Sequence, residues 1–334
     1  MKAGETKELV ATGVSYGQIT KRRDGLWDVS KVAGLPRLSL LSAGSQDPPS
    51  LVIRPWHQAA NVISLREFTN NAMNQHHGIQ TVERFGADTD PDGDGVMNEM
   101  TKMDVTAITL WQASLQVPGR VIPNNPVIER AVLNGERVFR AIGCASCHIP
   151  ELPLDSNGAI FTEPGPYNPP GNLRTGEMPE VRMDLNDTGL LPLPRLKADK
   201  KGITWVPAYT DFKLHDICEP GSAEPLDMNF GPWAAGFTQG NRKFLTKRLW
   251  GFYNEPPYFH HGLFTTARRA ILAHAGEAEA QRQAFQVASK YDQDSLIEFL
   301  KTLQVLPPGT KDLVVDENFR AKQWPPARSL EAVR

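Results

Sequence analysis

Cys144-Ala145-Ser146-Cys147-His148 is the stretch that decides how this chain reads. Two thiols three positions apart on a helical turn reach the two vinyl groups of one porphyrin and form thioethers. The histidine that follows puts an imidazole under the iron. The spacing predicts one covalent haem c, held by Cys144 and Cys147, with His148 as an axial iron ligand. A zinc half-site and a redox C-x-x-C pair are the alternatives. Zinc needs two further ligands at matching spacing, and a redox pair belongs after a strand, whereas the flanks here read as helix and then loop.

Working outward, Val127, Ala131, Val138 and Ile142, with Gly135 and Phe139 beside them, repeat at helical spacing and lead straight into the motif. Leu296, Phe299, Leu300 and Leu303 mark a second amphipathic helix, with Asp292 and Asp294 in its first turn where the helix dipole favours acids. A glycine on the first and an aromatic on the second suit a close crossing. Between them, the segment from Phe161 to Gly171 holds four prolines and two glycines, which excludes regular helix and central strand. It reads as an ordered loop along the haem edge. These signals predict a mostly α fold: a cytochrome c-like haem domain with long loops, preceded by a partial helical N-terminal domain.

The chain has 334 residues, enough for two modest domains, and a formal net charge of −2, which argues against nucleic-acid binding and a polybasic membrane anchor. No apolar run approaches a membrane span. The expected organisation is a remnant haem domain over 1–116, a linker over 117–126, a haem domain over 127–310 and a tail over 311–334. The segment from Met1 to Glu8 is polar and lacks the apolar centre of a signal peptide. Haem is attached to such motifs outside the bacterial cytoplasm, so a periplasmic or otherwise exported protein is expected, its signal not contained in this sequence.

Iron held by His148 needs a second axial group unless its other face is an open catalytic site. The remaining histidines and the methionines are the candidates, with His260, His261 and His274 the ones the sequence singles out. His274 lies beside Ala270 and Ile271, where a histidine is either a satisfied core residue or a ligand.

Asp88-Thr89-Asp90-Pro91-Asp92-Gly93-Asp94-Gly95-Val96-Met97-Asn98-Glu99 matches a twelve-residue calcium loop at its first, third, fifth, sixth and twelfth positions. Asp88, Asp90, Asp92, Asp94 and Glu99 are the expected ligands of one Ca2+. An acidic surface turn is the alternative.

The segment from Leu249 to Gly262, including Pro257-Tyr258-Phe259-His260-His261-Gly262, and Ala270-Ile271-Leu272-Ala273-His274-Ala275-Gly276-Glu277-Ala278 resemble the C-terminal haem domain of the bacterial di-haem cytochrome c peroxidase superfamily. The nearer likeness is to its putative di-haem oxidoreductase (thiol oxidoreductase) branch. The stretches 143–152, 68–74 and 104–113 carry the resemblance through most of the chain. It implies that the residue fourteen positions after His260, which is His274, is the distal iron ligand. His260 then becomes a haem neighbour that does not bind iron. Relatives carry two C-x-x-C-H sites and this chain has one, so the first haem segment is expected to be missing. What remains corresponds to the half that delivers electrons.

Other residues carry weaker expectations. His76, His77 and Met73 either faced a first haem or cap a helix. Trp56 and Trp111 are electron relays or core residues, and Cys218 reads as a small buried residue. Asp211-Phe212-Lys213-Leu214-His215-Asp216 resembles a recurring family segment without a derivable role. Met228 and His215 are the fallback axial ligands. Three functions stay open: an oxidoreductase subunit of the peroxidase-like family served by a small redox protein or cytochrome, a pure electron carrier, and a degenerate binding protein.

Overall fold

The computed structural model describes residues 1–154, 158–221 and 242–326. The chain opens with strand. β1 (Thr6–Ala11) and β2 (Val14–Lys21) pair antiparallel, and β3 (Trp27–Asp28) adds to β2. A register shift between Glu8 and Val10 breaks the two-residue alternation, so Val14, Tyr16 and Ile19 are all buried. After the single turn α1 (Arg37–Leu40) comes α2 (Leu65–His77), capped by the Ser64 hydroxyl and stopped by Gly78 at φ 72°. The short α3 (Val82–Phe85) and α4 (Lys102–Ala113) flank the acidic loop. A reciprocal Thr101–Asp104 capping pair opens α4.

β4 (Gly119–Val121) follows, inside the stretch expected as linker. Asn125 then caps α5 (Pro126–Ala141), with proline at its first position. Six short strands come next: β5 (Leu152–Leu154), β6 (Ile160–Glu163), β7 (Val181–Asp184), β8 (Thr204–Val206), β9 (Leu214–Asp216) and β10 (Lys243–Leu245). They pair as β5 with β8, β6 with β7 and β9 with β10. The remaining elements are α6 (Ala267–Leu272), α7 (Glu279–Val287), α8 (Lys290–Lys301), β11 (Leu303–Gln304) and β12 (Val314–Val315). β4 lies between β11 and β12, antiparallel to the first and parallel to the second.

The described residues are 28% helix and 18% strand, which overturns the mostly α expectation. The architecture is mixed, and the first block begins with a sheet where helices were expected. The reason is physical: 27 prolines and 27 glycines keep helices short. Most strands run only two to four residues, too short for a readable alternation, and are recruited by tertiary contact.

The helix crossing forms as its residues suggest. Gly135 on α5 meets α8 so closely that a Cβ there would lie 2.0 Å from the Ser295 carbonyl oxygen and 2.7 Å from the Phe299 Cβ. Phe139 and Phe299 meet edge to face at 5.3 Å, with Tyr209 closing the cluster. Val132, Gly135, Val138 and Phe139 form the buried face of α5, whereas Val127, counted in the expected stripe, is 66% exposed. Gly135→Ala is expected to lower stability by about 1–3 kcal/mol, because overpacking outweighs the helix-propensity gain of about 1 kcal/mol. Urea unfolding checks this, and an unchanged midpoint would rule out the close crossing as a constraint.

A second buried feature was not anticipated. Arg66 on α2 is wholly buried and binds Glu83 through Nε at 2.9 Å and Glu163 through Nη1 at 2.8 Å. It also donates to the Thr106 hydroxyl and the Lys102 carbonyl. Asn70 and Asn168 extend this network to the loop after β6, and Glu83 accepts from the Leu173 amide. Residues 161–163, expected as loop, end β6, and the loop that follows is anchored on α2 and α3.

Candidate functional site

The motif sits where α5 ends. Gly143, at φ 90°, turns the chain into a single 3-10 turn over Cys144–Ser146, and the His148 amide donates to the Cys144 carbonyl at 3.0 Å. His274 lies just beyond α6, which the Thr266 hydroxyl caps. The two histidines, 126 positions apart in sequence, face each other with ring centroids 6.5 Å apart and planes at 65°.

Each ring is oriented through Nδ1. His148 Nδ1 lies 3.0 Å from the Tyr209 carbonyl oxygen, and His274 Nδ1 lies 2.8 Å from the Ala270 carbonyl oxygen. A carbonyl only accepts, so both Nδ1 atoms carry hydrogen and both Nε2 atoms keep their lone pairs. Burial, reinforced by His274, pushes the His148 imidazole down to about 4, and burial also lowers His274. Both are neutral at pH 7, the state a metal ligand requires. Burial pushes the Cys144 thiol up to about 12, so it is protonated there.

The spacing fits one iron. Two metal–nitrogen bonds of about 2.0 Å, plus roughly 1.1 Å from each nitrogen to its ring centre, give about 6.2 Å between centroids. Phe259 packs edge-on against His274 at 5.3 Å. Tyr209 and Phe259, which support the two histidines, both have positive φ, 52° and 64°. Non-glycine residues hold that conformation only where the surroundings impose it, a pattern that clusters at functional sites.

His260 is exposed and stacks on Phe244 at 4.8 Å, while Phe259 supplies the aromatic contact to His274. His261 stacks on Phe259 and accepts from the Leu263 amide. His215 is no axial ligand here: Nε2 lies 2.8 Å from Asp211 and Nδ1 2.7 Å from Glu277, leaving no lone pair free. Although burial opposes its charge, Asp211, the Cys147 sulfur and Glu277 together raise His215 to about 10. Ligand atoms of Cys147, Asp211 and His215 lie within 4.8 Å of one another. Met228 lies outside the described residues. Tyr209, Asp211, Glu277 and Phe259 were missed as functional residues. Their only signal was membership of segments quoted for the family likeness, or proximity to them.

A separate cavity of about 250 Å3 lies behind Tyr209, between Arg120, Glu136, Arg140 and Phe299. Neither facing histidine lines it, so it is not where an iron between them would sit.

The acidic loop brings together fewer groups than expected. Carboxylate oxygens of Asp90, Asp92 and Asp94 lie within 4.8 Å of one another. Asp90 accepts from the amides of Gly93 and Gly95 at 2.9 and 3.0 Å. Asp88 instead pairs with Asn98, and Glu99 accepts from the Gln80 amide. Among the weaker candidates, His76 and His77 end α2, Trp111 is 62% exposed, and Trp56 packs on Phe68 beneath Arg248. The Cys218 thiol is half-buried near the Arg242 carbonyl.

No family model, curated protein or solved structure matches this chain. No helix among the described residues is long and apolar enough to cross a membrane.

Proposed function

We propose that the chain is a c-type cytochrome of the di-haem peroxidase-like oxidoreductase family, passing electrons through one covalent haem. The observation that carries this is the facing pair His148 and His274, 6.5 Å apart beside Cys144 and Cys147. When bound, the haem supplies one-electron chemistry at its iron. Cys144 and Cys147 would hold it by thioethers, and His148 and His274 would ligate its iron. The carbonyls of Tyr209 and Ala270 keep each imidazole in the tautomer that presents Nε2, and Phe259 limits water at His274. With both histidines on the iron, the haem would supply electron transfer and would offer peroxide no free coordination site, which favours an electron carrier over a peroxidase. The electron partner is a small redox protein or cytochrome, in the periplasm or a comparable exported location.

The test is a haem-stained band that survives denaturing electrophoresis after export with the maturation machinery, lost in Cys144→Ala. Zinc is the second reading, suggested by the closeness of Cys147, Asp211 and His215, and it would require His215 to release the proton it directs at Asp211. Stoichiometric zinc with no stained band would select it.

The acidic loop supports a calcium site centred on Asp90, Asp92 and Asp94, with Asp88 and Glu99 bracing the loop. Calcium at a hundredfold excess over its dissociation constant is expected to add about 2.7 kcal/mol to stability by mass action. Differential scanning calorimetry checks it, and a melting temperature indifferent to both calcium and chelator would dismiss the site.

A further inference from the structure

We propose that His215 is a positioning residue that fixes the separation of the two facing imidazoles by bridging the segment that orients His148 to the segment that carries His274. The proposal rests on the haem reading above for its spectroscopic arm and on geometry alone for the rest.

On one side, His215 Nε2 lies 2.8 Å from Asp211 Oδ2. Asp211 is two residues beyond Tyr209, whose carbonyl holds His148. Asp211 is itself buried and fixed, its carbonyl accepting from the Tyr16 hydroxyl at 3.0 Å and its carboxylate from the Lys213 amide at 2.9 Å. On the other side, His215 Nδ1 lies 2.7 Å from Glu277 Oε2, three residues beyond His274. The second oxygen of Glu277 accepts from the Asp216 amide at 3.0 Å, so one carboxylate grips both β9 and the His215 ring.

The backbone makes the same connection. Ala275 N donates to the Ile217 carbonyl at 3.1 Å. Gly276, at φ +53°, passes so close to β9 that a Cβ would stand 2.4 Å from the Asp216 carbonyl oxygen. Only glycine permits that approach. The residue after His274 is thus pinned by its amide to Ile217, just past β9, and Glu277 is pinned to β9 by its side chain.

Two carboxylates facing two ring nitrogens are both satisfied only when each nitrogen carries a proton, so the ring acts as a doubly donating cation between two anionic acceptors. Such bonds are stronger and more directional than neutral ones. A shift in the His148–His274 separation would pull one imidazole away from a shared iron, so a clamp between their segments would keep both within reach of it. Interactions that orient ligands in this way belong to a metal site as much as the ligands do.

The experiment compares wild type with His215→Ala, His215→Gln and Glu277→Gln. In the haem-loaded proteins, covalent haem content is expected to stay at the wild-type level. The high-spin fraction of the ferric spectrum should rise, and cyanide should bind about tenfold faster or more in His215→Ala. His215→Gln and Glu277→Gln, which each keep part of the bridge, should fall between it and wild type. In the haem-free chain, hydrogen exchange at residues 273–278 should accelerate in His215→Ala while exchange in α5 and α8 stays as in wild type. Cyanide rates and local exchange within twofold of wild type would overturn the proposal. If His215→Ala fails to fold, the two glutamine variants decide the question by the same readouts. A wild type without covalent haem would overturn the haem reading instead, and the exchange measurement would still decide whether His215 is a clamp.

Discussion

Arg66→Ala is expected to lower the unfolding free energy by about 3–5 kcal/mol, the cost of removing one partner from a buried ionic cluster. The size follows from what is left behind. Glu83 and Glu163 are each 2% exposed at the side chain, and the Arg66 side chain is 0% exposed. Without the guanidinium the two carboxylates stay buried with only amide and asparagine donors around them. Burial already raises Glu163, with Arg66 opposing that shift, so the variant should take up a proton there as well. Urea unfolding at pH 7 and at pH 5 checks both statements. The deficit should shrink at the lower pH, where protonation relieves the unpaired charge. A loss below about 1 kcal/mol at pH 7 would mean that the cluster relaxes into solvent and does not hold α2 to β6.

If the chain carries haem as proposed, His274→Ala is expected to convert a low-spin spectrum to a high-spin one and to open the iron to small ligands. His274 supplies the only neutral, Nδ1-anchored imidazole facing His148 among the described residues, and His215 cannot replace it while Asp211 and Glu277 hold its ring. Two imidazoles favour a lower reduction potential than a histidine–methionine pair, so the potential of the variant should differ from that of wild type. Cyanide or carbon monoxide titration with absorption spectra checks the coordination, and potentiometry checks the potential. A wild-type spectrum already high-spin, or a low-spin spectrum retained in the variant, would remove His274 from the axial position.

The sequence by itself determined the local chemistry. Cys144, Cys147 and His148 belong to one turn, so their relation needs no tertiary information. The helix around Gly135 and the helix around Phe299 were legible because apolar residues recur at the helical period, and the glycine sits where the two helices meet. The acidic loop was legible as a cluster, although Asp88 and Glu99 turned to Asn98 and Gln80. Such choices depend on which neighbouring donor the fold brings close.

Only the tertiary structure decided the rest. The sheet of β1 to β3 escaped notice because a register shift scrambles its alternation. Nothing local in the sequence marks Arg66, Glu83 and Glu163 as buried, since burial of an ion pair depends on partners 17 and 97 residues away. His148 and His274 face each other, and His215 spans Asp211 and Glu277, because β9 lies beside both segments. Spacing along the chain sets which atoms share a turn, whereas contacts between distant segments come from packing of the whole.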